Sequence, residues 1–333
     1  MSLKTRVATE EIVALTRTAL QKAGASEEDS TIIIDHVLDG ETGGHASHGF
    51  FRIPGIVNAL RKAGAPNSIG YEDESAEAVL LDGGKHAGLV VALHGVETAI
   101  RKAHTSRIVA VGGTNYAGTT GAMGYFTRRL AENDLIGIML ASSGSGVAPW
   151  GSREKILGTN PISISIPTAG DPIVADLSTS KMAYGDIALA MIAGTPLPAN
   201  AVMDKDGNPS TNPTDAHDGS QLTFGDHKGF ALSLCFELLA GPLVRAKAGK
   251  LAVKGSDGFL ILAIRPDIFV SLEQFKANAS SLLHEVKNAA LRPGFEEILI
   301  PGERSQRKRQ ENRDAAYIDV YTKILDDIRL LAQ

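Results

Sequence analysis

Apolar positions along the first 64 residues recur with a helical period. Ile12, Val13, Leu15 and Leu20 form one stripe after Thr9-Glu10-Glu11, and Gly24 ends it, which predicts a helix. Ser26 followed by Asp29 is a shortened capping box and opens a second helix, expected to run to about Leu38. Gly40, Gly43 and Gly44 break that helix ahead of His45-Ala46-Ser47-His48-Gly49. Pro54 suits the first turn of a third helix, ending near Gly64.

Beyond a polar link over 66–75 the period changes. Short β-branched or apolar runs at 78–81, 108–111, 135–140, 162–166, 173–175 and 259–264 predict strands. Helical patterns alternate with them at 88–104, 121–133, 181–192 and 228–246, so the fold class is α/β. A further helix is expected over 272–291, then a charged segment over 303–313 and a closing helix over 315–331. Within that segment the run 304–309 reads as a solvated face, with Arg304 as the exception. The length of 333 residues suits about two domains. The expected division is a helix-rich unit built from 1–75 and 291–333, and an α/β unit over 76–290. No internal repeat or low-complexity tract interrupts this pattern.

Composition narrows the partners. Hydrophobic residues make up 43% and charged ones 21%, enough apolar content for a substantial core. A net charge of −5 leaves no basic surplus to displace counterions, so nucleic acid is not an expected partner. The one cysteine, Cys235, cannot form an internal disulfide and fits a reducing, cytoplasmic setting. Residues 1–21 mix charged and apolar positions without the apolar core of a secretory signal. The most apolar stretch, 229–244, is shorter than the ~20 residues a bilayer requires, and Glu237 and Pro242 interrupt it. It is expected to be a buried helix, with no membrane partner.

Glycine is abundant, at 35 residues, with clusters at Gly112-Gly113, Gly118, Gly121, Gly144, Gly146 and Gly151. Backbone that approaches a phosphate needs such residues, but they also serve ordinary tight turns. No strand–GxGxxG–helix unit is present: Gly144-Ser145-Gly146-Val147-Ala148-Pro149 fails at its last position. A GxxxxGK[ST] loop is missing too. Any dinucleotide would therefore be held on a framework other than the Rossmann fold.

Five segments join apolar elements to polar turns: Ser47-His48-Gly49-Phe50-Phe51-Arg52-Ile53-Pro54, Leu157-Gly158-Thr159-Asn160-Pro161, Asp176-Leu177-Ser178-Thr179-Ser180, Asp226-His227-Lys228-Gly229 and Ile300-Pro301-Gly302-Glu303-Arg304. In this order, and with Asp204-Lys205-Asp206-Gly207-Asn208-Pro209 between them, the chain resembles the second malate/L-lactate dehydrogenase family. That family includes ureidoglycolate and sulfolactate dehydrogenases, diketogulonate reductases and cyclic imino-acid reductases. The resemblance implies a non-Rossmann nicotinamide-binding sheet, NAD(H) or NADP(H) as cofactor, a small 2-oxo or 2-hydroxy acid as substrate, and a homodimer.

Carried over residue by residue, the resemblance makes His48 the catalytic histidine. Reducing a ketone needs a proton donor that titrates near neutrality, and imidazole serves both directions. Arg52 suits a bidentate carboxylate grip, and Ser47 adds a hydroxyl. The nucleotide would be held by Val174, Ala175, Asp176, Leu177, Ser178, Thr179 and Ser180, by His227 and Lys228, and by Gly302, Glu303 and Arg304. Thr159 and Asn160 would shape the wall near the nicotinamide. Ser178 or Ser180 could equally be ordinary helix caps. Asp204 is a candidate for orienting His48, or else forms an Asx turn with Gly207. His45 and His48 have the spacing of a metal pair but lack a third ligand, so no metal is expected. His86, His94, His104, His217 and His284 carry no motif and read as structural.

Two positions depart from the family. Asn115-Tyr116-Ala117-Gly118 stands where Asn-His-Phe-Gly is common, and Ile56 stands where a tyrosine is common. Both are expected at the substrate, so the acid itself is not transferable by name. A cyclic imino-acid reductase is the competing enzyme reading, and a nucleotide or carboxylate sensor without turnover is the competing non-enzyme.

Overall fold

The computed structural model describes residues 3–252 and 256–333. β1 (Lys4–Ala8) leads into α1 (Thr9–Lys22), α2 (Glu27–Thr42), two short 3-10 turns and α3 (Ile53–Ala63). There follow β2 (Gly70–Glu72), β3 (Ala78–Asp82), α4 (Gly88–Ala103), β4 (Ile108–Thr114), α5 (Gly124–Glu132), β5 (Ile136–Ala141), β6 (Ile162–Ile166), β7 (Ile173–Leu177) and α6 (Tyr184–Ala193). A small excursion holds β8 (Val202–Met203), β9 (Pro209–Ser210), α7 (Asp215–Asp218) and β10 (Ser220–Gln221). α8 (His227–Ala240), β11 (Phe259–Ile264), α9 (Leu272–Lys287), α10 (Glu303–Glu311), β12 (Tyr317–Tyr321) and α11 (Thr322–Ala332) complete the chain.

Among the described residues the main sheet has seven strands in the order β2-β3-β4-β11-β5-β6-β7. Only β3 and β4 run parallel; the other neighbours are antiparallel. This is a central mixed sheet with helices, without the 3-2-1-4-5-6 order of a doubly wound parallel sheet. β11 enters between β4 and β5, with Phe259 opposite Gly113 and Ala141. A side chain at Gly113 would collide with the Phe259 ring, so glycine there is a packing requirement.

One continuous apolar core runs from α1, α2, α3 and α11 through α4 to the sheet, with Ile12, Leu20, Ile33, Phe50, Phe126 and Phe259 fully buried. Ser26 caps α2 by accepting the Asp29 N–H at 3.0 Å, and Pro54 lies in the first turn of α3.

Four expectations are corrected. α2 continues past Leu38 to Thr42, because Gly40 lies inside the helix, where the His48 backbone packs on it. The segment expected as a closing helix begins as β12, which pairs antiparallel with the unforeseen β1 and ties the two ends of the chain together. The charged segment forms α10, and its Arg309 reaches Asp39 at 3.6 Å instead of pointing only to solvent. The apolar helix expected to be buried is α8, whose Leu232, Leu234, Leu238 and Leu239 are 38–53% exposed in the single chain. Its residues are apolar on all sides, and the sheet covers only one of them. No helix among the described residues is long and apolar enough to cross a membrane.

Candidate active site

A cleft of roughly 1600 Å³ runs between the α2–α3 turn, the β7 edge and the start of α10. His48 ends the first 3-10 turn (Ala46–His48) and Arg52 the second (Phe50–Arg52), so both side chains reach the cleft floor from one compact backbone loop. Arg52 Nη2 donates to His48 Nε2 at 3.4 Å, and Ser47 Oγ lies 3.2 Å from His48 Nδ1. A guanidinium only donates, so Nε2 presents its lone pair and Nδ1 carries the proton of a neutral ring. Burial first, and the Arg52 charge second, hold His48 well below the usual histidine range.

Arg52 is the unusual charge. Burial lowers its pKa, with Asp186 opposing, and its Nε is enclosed without a hydrogen-bond partner. Among the described residues no carboxylate comes within ion-pair distance of it. Ile56 and Tyr116 are both buried and border the cleft. Burial also pushes the Tyr116 phenol well above its ordinary range.

The far wall is built from β7 and the turn after it. Val174 N–H donates to Pro301 O at 3.1 Å, and Gly302 packs directly against Val174, bringing the Pro-Gly-Glu segment onto the sheet edge. Val174, Ala175, Asp176, Leu177, Ser178 and Ser180 line the cleft, as do Gly302 and Arg304. Asp176 accepts the Gly124 N–H at 2.7 Å and so occupies the start of α5. Ser178 and Ser180 do not cap α6, which begins at Tyr184 without a side-chain cap; their hydroxyls bond within the 178–182 turn. Thr179 is buried behind them and donates to Thr159 O at 2.9 Å.

Thr159 lines the cleft, but Asn160 lies fully buried behind it and donates to Ser233 and to Glu237. Its role is support of the wall, not the surface expected of it. Glu303 is likewise turned away from the cleft lining, bonded to Lys287 and the Ile300 N–H. His227 and Lys228 stand exposed at the start of α8, beyond Phe224, which does line the cleft.

Asp204 does not reach His48. Its carboxylate accepts the backbone N–H groups of Asp206 and Asn208, both at 2.9 Å, which is the Asx-turn alternative. These bonds, led by Asn208, hold its carboxyl below the usual range. His45 Nε2 meets Ser305 Oγ at 2.7 Å, and among the described residues no group of three metal-ligating side chains is gathered. His86, expected as structural, sits 2.7 Å from Asp29, whereas His217 lines the cleft.

Several cleft residues carried no signal in the sequence. Lys155, Lys181 and Asp186 line it, and only Lys181 directly follows a recognised motif. In the sequence Glu237 reads only as a charge interrupting an apolar helix. Its burial with Asn160 and the Gly158 and Gly249 N–H groups is a tertiary fact.

Comparison with known proteins places this architecture. The profile of the malate/L-lactate dehydrogenase family matches residues 7–329. The chain belongs to this family. It is 35% identical to malate/(S)-sulfolactate dehydrogenase of Methanothermus fervidus, over 94% of this chain and 93% of that protein. Identity to the NADP(+)-dependent (2R)-3-sulfolactate dehydrogenase of Chromohalobacter salexigens is 32%, over 94% of each. Identity to the NAD(+)-dependent ureidoglycolate dehydrogenase of Escherichia coli O157:H7 is 29%, over 97% of this chain and 93% of that one. Among solved structures, sulfolactate dehydrogenase of Methanocaldococcus jannaschii superposes with a TM-score of 0.88 at 32% identity, covering 98% of this chain and 96% of that one. Δ1-piperideine-2-carboxylate reductase of Pseudomonas syringae superposes at 0.82 with 29% identity, covering 98% and 99%. The family member described here is an NAD(P)-dependent oxidoreductase of the dehydrogenase class.

Proposed function

We propose that this dehydrogenase interconverts a small 2-hydroxy acid and its 2-oxo acid, with His48 moving the proton and Arg52 gripping the carboxylate. The observation that carries the reading is Arg52 itself. A guanidinium at a cleft floor, with its Nε enclosed and unpartnered, and with Asp186 acting on it only from beyond ion-pair distance among the described residues, is costly to maintain. A substrate carboxylate supplies a direct counter-charge beside His48, which lies within hydrogen-bond reach of Arg52.

The cleft fits a nucleotide together with an acid. Its volume exceeds the ~300–1000 Å³ of a site for one small ligand, and Lys181 and Arg304 face it without an ion pair among the described residues. When bound, the nicotinamide supplies or accepts the hydride. The β7 edge, the 178–180 turn, Gly302 and Arg304 would hold the nucleotide on this non-Rossmann sheet, with Lys228 and His227 at its outer end. Neutral His48 is set to accept the hydroxyl proton in oxidation. A carboxylate on Arg52 offsets the charge that depresses His48, so the same ring gains a proton more readily in the 2-oxo acid complex. Ile56 and Tyr116 give the acid's far end an apolar wall bearing one hydroxyl.

The helix-rich unit, from 1–75 and 291–333, would carry His48 and the α/β unit over 76–290 the nucleotide. The exposed leucines of α8 favour a homodimer that covers them, and unpaired Cys235 suits the cytoplasm. Turnover of malate, lactate, sulfolactate, ureidoglycolate and Δ1-piperideine-2-carboxylate, in both directions with NAD(H) and NADP(H), tests the reading. Reaction of a hydroxy acid is the expected result. Nucleotide binding with no turnover of any acid would overturn it, and turnover of the imine alone would transfer the reading to a cyclic imino-acid reductase.

A further inference from the structure

We infer that Glu41, in the last turn of α2, is the positioning residue of the catalytic turn, holding the backbone between His48 and Arg52 through the Phe50 N–H. This rests on the assignment of His48 and Arg52 above.

The second 3-10 turn begins at Phe50, and the first N–H groups of any helical turn have no partner inside it. The residue ahead of it is Gly49, which has no side chain to serve as a cap. Glu41 does that work from another helix: its Oε2 accepts the Phe50 N–H at 3.1 Å. Gly49 is required for the arrangement, because a Cβ there would collide with Glu41 Oε2. One peptide earlier, a Cβ at Gly40 would lie 2.8 Å from the His48 carbonyl oxygen, so the His48–Gly49 peptide is seated on the same helix.

The position is poor for every purpose except this one. A carboxylate in the last turn of a helix opposes the helix dipole. Burial adds a further cost and pushes the Glu41 carboxyl up to about 7, against the lowering effects of the Phe50 N–H and Lys4. Helix stability therefore does not account for an acid here. Support of the loop does, since Arg52 N–H bonds back to Gly49 O at 2.9 Å and both catalytic side chains flank the Gly49–Phe50 peptide.

The test compares Glu41→Ala with Glu41→Gln, which retains an acceptor oxygen, alongside His48→Asn and Arg52→Met. Displacing a reacting group by about 1 Å costs on the order of 10²-fold in rate. Glu41→Ala is expected to lower kcat/KM by about that factor, through both kcat and the KM of the acid, with nucleotide affinity unchanged. Glu41→Gln is expected to restore kcat/KM to within a few-fold of the parent. Gly49→Ala, which forces the carboxylate aside, should reproduce the Glu41→Ala loss, and keeps the test open if Glu41→Ala does not fold. Equal activity of Glu41→Ala and the parent, no rescue by Gln, or a parallel loss of nucleotide affinity would overturn the inference. If His48→Asn and Arg52→Met keep full turnover, the underlying assignment fails instead.

Discussion

Exchanging Arg52 for methionine keeps an unbranched apolar stem and removes the guanidinium. The free protein holds that group at the cleft floor with an enclosed, unpartnered Nε, while its Nη2 donates to His48 Nε2 at 3.4 Å. An enclosed unsatisfied donor costs about 1–3 kcal/mol, so Arg52→Met should be more stable than the parent by about 1–2 kcal/mol. For a chain of 333 residues, at about 2.1 cal/mol/K of unfolding entropy per residue, that is a rise in Tm of about 1–3 °C. Binding moves the other way. Two charge-assisted hydrogen bonds to a carboxylate, at about 1.5–3 kcal/mol each, correspond to a loss of roughly 10²–10⁴ in kcat/KM. The third consequence concerns His48, which the Arg52 charge depresses after burial has done so. With that charge gone, the acid limb of kcat/KM for oxidation should move up toward the ordinary histidine value. Thermal melting of the nucleotide-free protein and a pH series with a confirmed hydroxy acid measure all three. A less stable variant that keeps kcat/KM within a few-fold, with its acid limb unmoved, would refute the claim that Arg52 awaits a carboxylate.

His48→Asn should lower kcat by about 10²–10⁴ in both directions, and it should abolish the acid limb of oxidation, which burial and the Arg52 charge place below the ordinary histidine range; steady-state kinetics checks both. Asp204→Ala should leave kcat within a few-fold, since its carboxylate bonds its own loop; a drop of about 10²-fold would restore Asp204 as the partner of His48. The Glu41 carboxyl is raised from 4.5 to about 7, so the folded state holds its proton more tightly and stability falls as pH rises through that window. Glu41→Gln should therefore be about 1–3 kcal/mol more stable than the parent at pH 8, with the difference gone near pH 4, as denaturant titration at the two pH values will show. Lys228→Ala should weaken nucleotide binding by about 1.5–3 kcal/mol by calorimetry if the start of α8 reaches the nucleotide, and unchanged affinity would remove Lys228 from the site.

Much of this protein follows from local sequence. The Thr9 stripe, the Ser26 cap, Pro54 and the alternation of short apolar runs with longer helical ones specify the elements, because each depends on neighbours within a turn or a strand. The Ser-His-Gly-x-x-Arg spacing places His48 and Arg52 on one loop, since four residues of chain cannot carry them far apart. The rest depends on partners distant in sequence. β1 and β12 exist as a pair, and neither end of the chain shows its strand without the other. Asp204 is a carboxylate whose own loop uses its oxygens, and Asn160 supports the cleft wall from behind through Glu237, both facts of partners the local sequence does not name. Glu41 reads as one more acid on a helix. Only packing of α2 under the Gly49–Phe50 peptide gives it a task, because burial and hydrogen-bond partners are properties of the assembled tertiary structure and not of the residue.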